Sequence, residues 1–148
     1  MRRKAGAGFR PTVLRTVTDA NMKWRETMRE ARDDLPVTLE APGVRIRSAQ
    51  WGGMIASFNT LAKGTDFTPM LKGLKDDMCQ CPHWGYVLTG AFHLRYTDGH
   101  EEVAKAGELW YAPAGHTAWV EEDTEIIDFS PQDQMEEVLG HIKKQMGS

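Results

Sequence analysis

Cys79, Cys81 and His83 fall within five residues of one another, in the run Cys79-Gln80-Cys81-Pro82-His83-Trp84-Gly85-Tyr86-Val87-Leu88-Thr89-Gly90. They include both cysteines of the chain and one of its five histidines. Thiolate and imidazole are the side chains that soft and borderline cations prefer, so the run is a candidate ligand cluster. A second stretch, Gly107 to His116, is expected to return to it in space. A plainer reading stands beside this one: small buried hydrophobes and a hydrogen-bonded core histidine.

A disulfide between cysteines one residue apart is disfavoured. On a strand, residues i and i+2 lie about 6.6 Å apart, at the upper edge of disulfide geometry. A shared metal ion also meets a distance problem. Along a straight strand Cys79 and His83 are about 13 Å apart, whereas two side chains and one zinc ion reach about 10–11 Å. Pro82 stands between them and disfavours a regular central strand. The sequence therefore predicts a bend at Pro82 if these residues act together.

The surrounding elements can be read from periodicity and punctuation. Ala20, Trp24, Met28, Ala31 and Leu35 recur every three or four residues between charged positions. That pattern predicts an amphipathic helix capped by Thr18 or Asp19 and ended by Pro36, lying on the outside of the main body. From residue 36 onward the signals are those of strands. Val37-Thr38-Leu39 precedes a Pro42-Gly43 turn, Val44-Arg45-Ile46-Arg47 alternates, and Gly52-Gly53 separates it from Met54–Phe58. Phe92–Tyr96 ends in the hairpin signal Thr97-Asp98-Gly99, followed by Glu101–Lys105, Trp110-Tyr111, Trp119-Val120 and Glu125–Phe129. Eight to ten short strands punctuated by Gly and Pro indicate an antiparallel sandwich or barrel. Ser130-Pro131 reads as a cap followed by the first helical residue, and Met135, Val138, Leu139 and Ile142 form the stripe of a second helix.

At 148 residues, 41% hydrophobic and 26% charged, the chain fits a single globular unit. Its expected division is an arm, helix and first strand over 1–43, a β-barrel over 44–130, and a helix over 131–148. A net charge of −3 and a pI near 5.9 argue against nucleic-acid or anionic-membrane partners. Arg2, Arg3, Lys4, Arg10 and Arg15 read as a solvated arm. No apolar run approaches the roughly 20 residues of a membrane span, and the N-terminal residues lack the apolar segment of a signal peptide. The expectation is a cytoplasmic protein with cysteines free or metal-bound.

Tyr86-Val87-Leu88-Thr89-Gly90, Tyr96-Thr97-Asp98-Gly99, Gly107-Glu108 and Pro113-Ala114-Gly115-His116 together resemble the cupin superfamily, over roughly residues 44 to 130. The resemblance implies a mainly β fold, a small antiparallel jelly-roll barrel flanked by the N-terminal and C-terminal helices. It also implies a metal held by two sequence motifs and, by family habit, a homodimer. The ligand set is rewritten, however. His83 stands where the family places a glutamate, Cys79 or Met78 where it places a histidine, and Ala118 where the last histidine is usual. Iron or manganese chemistry is therefore not implied.

His116, leaving the Pro113–Gly115 turn, is the residue that would complete the set across the barrel. Cys79, Cys81, His83 and His116 would make a tetrahedral site, neutral with Zn(II) and soft enough to favour zinc over manganese or magnesium. Four protein ligands would make it structural; three and an open position would support Lewis-acid chemistry. Whether Cys81 ligates stays open at this level. His93, His100 and His141 read as surface or structural residues. A substrate pocket is expected at the barrel mouth, lined by Trp84, Tyr86, Tyr111 and Trp119, with Tyr96 and Trp110 nearby. Tyr86, Tyr96 and Glu121 are weak candidates for acid–base groups, and Glu108 more weakly still. The expected function is a metal-dependent isomerase, lyase or hydrolase acting on a small organic substrate. The alternative is a non-catalytic ligand-binding or sensing barrel, or one whose zinc is structural.

Overall fold

The computed structural model describes residues 27–147. Nine strands follow one another: β1 (Val37–Ala41), β2 (Val44–Trp51), β3 (Met54–Leu61), β4 (His83–Thr89), β5 (Ala91–Tyr96), β6 (Glu101–Lys105), β7 (Leu109–Ala112), β8 (His116–Trp119) and β9 (Thr124–Pro131). One α-helix, α1 (Gln132–Gly147), comes after them. The strands form a six-stranded sheet in the order β1-β2-β3-β9-β4-β7 and a three-stranded sheet in the order β6-β5-β8. All the strand pairs are antiparallel.

Strands β2, β3, β4, β7 and β9 of the larger sheet alternate buried and open positions over most of their length, as a sheet with one face against a core must, whereas β1 carries a register shift between Val37 and Leu39. Val44, Ile46 and Ser48 of β2, Ile55, Ser57, Asn59 and Leu61 of β3, and Thr124, Ile126, Asp128 and Ser130 of β9 all point inward. Phe92, Leu94, Ala104 and Ala118 of the smaller sheet join them in one hydrophobic core. The helix adds Met135, Val138, Leu139 and Ile142 to the same core. That is the stripe expected from sequence, and it packs α1 beside β3 and β9.

The amino-terminal helix is corrected where it can be followed. Residues 27–35 contain only a 3₁₀ turn, Arg32–Asp34, with Met28 exposed and Leu35 buried. Leu35 is extended (φ −69°, ψ 139°), as a residue preceding proline prefers to be, so the chain is already strand-like before β1 begins. Thr18, Asp19, Ala20 and Trp24 lie outside the described residues. A smaller correction concerns Pro131, which ends β9 opposite Met54 and leaves Gln132 to start the helix. Among the described residues, no helix is long and apolar enough to cross a membrane.

Candidate metal centre

Three segments bring the ligand candidates together. Cys79 lies in the loop before β4, where it pairs with His116 at the start of β8. Its N–H donates to the His116 carbonyl (2.8 Å), and its own carbonyl accepts from the Gly115 N–H (2.8 Å). Gly115 is in the left-handed region (φ 87°), and a Cβ there would sit 2.4 Å from Thr97 Oγ1, so only glycine lets the chain enter β8 this way. His83 opens β4 on its inward face. The chain from Cys79 to Pro82 is not a straight strand, and the turn through Cys81 and Pro82 closes the gap that extended geometry would leave. Cys79 Sγ and His83 Nε2 are 3.4 Å apart.

Cys79, His83 and His116 each offer one donor atom, and the three atoms lie within 4.8 Å of one another. The two imidazole rings meet edge-on with centroids 5.0 Å apart. For tetrahedral zinc the bond lengths imply S···N separations of about 3.6 Å and N···N separations of about 3.3 Å. The Cys79–His83 distance matches, and a small side-chain adjustment gathers the set. Cys81 is fully buried yet falls outside this group of three; its Sγ contacts the Pro82 carbonyl at 3.4 Å.

A hydrogen bond fixes which nitrogen of His116 is free. His116 Nδ1 lies 2.7 Å from the Pro113 carbonyl, which has no proton to give, so Nδ1–H is the donor and Nε2 is left for a ligand role. His83 Nδ1 lies 2.6 Å from Ser130 Oγ and 3.6 Å from Asp128 Oδ2. Asp128 in turn accepts from Asn59 Nδ2 at 2.9 Å. A carboxylate behind an imidazole is the usual outer support of a metal-binding histidine, orienting the ring and raising its basicity.

Burial favours the neutral forms of the cluster's cysteines and histidines. Burial pushes the Cys79 thiol up to about 11 and the Cys81 thiol up to about 12. Burial, with the neighbouring His116, brings His83 down to about 3, and burial also lowers His116. Both imidazoles are thus held neutral, which is the form that ligates metal. Burial raises Asp128 to about 6, partly offset by the Asn59 hydrogen bond.

The three donors face a cavity of about 80 Å³. Its apolar wall comes from both sheets, through Ile46, Phe92, Trp110 and Ile126, and from α1, through Val138 and Leu139. Asn59 and Asp128 also line it, and neither lysine nor arginine does. Asp128, Asn59 and the α1 stripe have no place in the site as read from sequence. A larger open hollow, about 510 Å³ between β1 and the end of α1, contains no ligand cluster.

Trp84, Tyr86, Tyr111 and Trp119 do not line the small cavity. Alternation decides this for β4, because an inward His83 turns Trp84 and Tyr86 outward. Trp84 and Tyr111, 45% and 50% exposed, stack at 5.3 Å on the outer surface beside the exposed Phe129. Trp119 stacks on His93 with the Arg95 guanidinium over its ring. Tyr96 donates its hydroxyl to Glu102 (2.8 Å) and burial pushes it up to about 12; Glu121 is exposed, 3.7 Å from His93. Glu108 accepts from the Lys105 N–H in the β6–β7 turn. His100 lies in the β5–β6 turn, and His141 donates to the Lys72 carbonyl.

No protein-family profile matches this sequence, and no curated protein does. Solved structures match by shape. A cupin related to RmlC from Shewanella frigidimarina superposes with a TM-score of 0.54 at 18% identity, covering 72% of this chain and 92% of that one. KdgF from a Halomonas species gives 0.50 at 23% identity, over 68% and 90% of the two chains. Ectoine synthase from P. lautus gives 0.54 at 8% identity, over 72% and 78%. The chain therefore has the cupin fold, and at these identities the likeness concerns the fold alone.

Proposed function

We propose that this chain binds one divalent cation, zinc by ligand preference, through Cys79 Sγ, His83 Nε2 and His116 Nε2. We further propose that it works as a metal-dependent isomerase, lyase or hydrolase on a small organic molecule held beside that ion. The observation carrying this reading is the convergence of three buried donor atoms within 4.8 Å, from the loop before β4, from β4 and from β8. One thiolate and two neutral imidazoles suit zinc and suit magnesium, calcium or manganese poorly. Three protein ligands leave one position of a tetrahedron for a non-protein ligand, which is the arrangement of catalytic and not of structural sites.

When bound, such an ion supplies Lewis-acid polarisation of an oxygen atom in its open position. The chain's own residues do the rest. Ser130 and Asp128 hold the His83 ring and its tautomer, and the Pro113 carbonyl does the same for His116. The α1 stripe supplies part of the cavity's apolar wall. Zinc has no accessible second oxidation state, so the reaction is not a redox one.

A thiol nucleophile is a second reading, favoured by the 3.4 Å contact between Cys79 and His83 with Asp128 behind the ring. Its weakness is charge. A working thiol–imidazole pair needs thiolate and imidazolium, whereas burial drives Cys79 and His83 toward their neutral forms. A dication between them reverses that preference by stabilising the thiolate.

Metal analysis of purified protein tests the proposal. One zinc per chain is expected, lost in Cys79→Ser, His83→Ala and His116→Ala and kept in Cys81→Ser. Loss in Cys81→Ser equal to that in Cys79→Ser would support a closed structural site, and a metal-free wild type would overturn the reading.

A further inference from the structure

The face of the six-stranded sheet that turns away from the core is apolar across β9, β4 and β7. In register, Phe129, Trp84 and Tyr111 form one row, and Ile127, Tyr86 and Leu109 form the next. Phe129, Trp84 and Tyr111 are exposed, and Leu109 is 82% exposed. Three strands are about 10 Å across, the width of one α-helix. A contiguous exposed apolar face of this kind marks a contact surface.

The chain's own amino-terminal side leads onto this face. Leu35 is buried, yet it stands apart from the core that the two sheets and α1 share. Its carbonyl accepts from Arg47 Nη1 (2.9 Å), an outward side chain of β2. Three residues earlier, Arg32 Nη1 lies 3.4 Å from Glu125 Oε1, on the outward side of β9. From Leu35 back to Arg32 the contacts move from β2 past β3 to β9, and β4 and β7 come next in the sheet. Met28, further back, is 77% exposed.

We infer that residues 18–28 dock on the outward face of β9, β4 and β7 of the same chain, with Trp24 and Met28 against Trp84, Tyr111 and Leu109. Pattern, reach and charge favour this occupant. Ala20, Trp24 and Met28 recur at intervals of four, which is one side of a helix. The stretch from Trp24 to Ala31 spans about 10 Å as a helix and about 23 Å extended, whereas β9 to β7 is about 10 Å. Residues 1–26 hold seven Lys/Arg and two Asp/Glu, so with the whole chain at −3 the remaining residues carry −8. A cationic segment is drawn to that body, while two such bodies meeting face to face bring like charge together.

Hydroxyl-radical footprinting of the full chain tests the docking, with molar mass followed by light scattering. Oxidation at Trp84 and Tyr111 is compared between wild type and Trp24→Asp, normalised to Val103, which is exposed on the other sheet. The expected result is oxidation several-fold faster in Trp24→Asp at unchanged molar mass. Equal rates in the two proteins overturn the inference. So does a gain that accompanies dissociation of a dimer, which puts a second copy on the face. A second arm leaves residues 1–26 as they are. Leu109→Asp changes a side chain outside the core, and trypsin cleavage after Lys23 and Arg25 should then become several-fold faster. Cleavage at the wild-type rate overturns the docking, and this arm decides alone should Trp24→Asp fail to fold.

Discussion

The number of protons released on zinc binding distinguishes the possible ligand sets. A thiol must lose its proton to ligate, and a neutral imidazole need not lose one. In the metal-free chain Cys79 is raised to about 11 and Cys81 to about 12, while His83 is lowered to about 3 and His116 is lowered as well. Between pH 7 and pH 9, above the Asp128 value of about 6, both thiols are protonated and both rings neutral. Binding through Cys79 alone then expels one proton. The zinc dissociation constant should rise about tenfold for each unit the pH falls, about 1.4 kcal/mol per unit, or about a hundredfold over the window. If Cys81 also ligates, two protons leave and the change is about a hundredfold per unit. The assay is competition with a chromophoric chelator of known pH dependence, with proton release checked calorimetrically in buffers of different ionisation enthalpy. A slope near zero in the wild type would refute thiolate ligation.

Two further outcomes follow from the packing around the centre. Gly85→Ala places a methyl group 2.2 Å from two indole carbons of Trp110, so it should cost about 1–3 kcal/mol in a denaturant titration, and an unchanged midpoint would contradict the close approach. Asp128 in the metal-free protein has its folded pKa raised from 3.8 to about 6. It contributes stability that is complete below 3.8 and lost as the pH climbs through about 6, on the order of 3 kcal/mol. Asp128→Asn removes that loss. The variant's stability minus that of wild type, a difference in which the opposite trend from His83 largely cancels, should therefore rise by that order between pH 4 and pH 7. A difference independent of pH would show that Asp128 does not titrate in the fold as described.

Much of the scaffold can be read from punctuation and period. The Pro42-Gly43 and Asp98-Gly99 turns, the alternating strands and the Met135–Ile142 stripe stand where the sequence predicts them. The inward face of two central strands is harder to read, for a specific reason. In β4 the bulky residues Trp84 and Tyr86 occupy one parity and His83, Gly85 and Val87 the other; in β9 Ile127 and Phe129 oppose Ile126, Asp128 and Ser130. Hydrophobicity favours the wrong parity in both, because the outer face of this sheet is itself apolar, with Trp84, Tyr111 and Phe129 exposed upon it. One constraint was available. Adjacent residues of a strand cannot share a face, so placing His83 in the site excludes Trp84 and Tyr86 from the same cavity. With that parity fixed, Asp128 and Ser130 follow only through the β4–β9 register, a long-range pairing that no local signal encodes. The cavity-facing role of α1 is of the same kind: the stripe is legible, its partner is not.

X-ray absorption at the zinc edge of the purified protein reads the ligands of the ion themselves. The expected shell is one sulfur at about 2.3 Å, two imidazole nitrogens at about 2.0–2.1 Å and one further light atom from a non-protein ligand. Two sulfurs in the shell would make the site closed and the barrel's metal structural, and a shell of oxygens alone would mean that Cys79, His83 and His116 do not hold the ion at all.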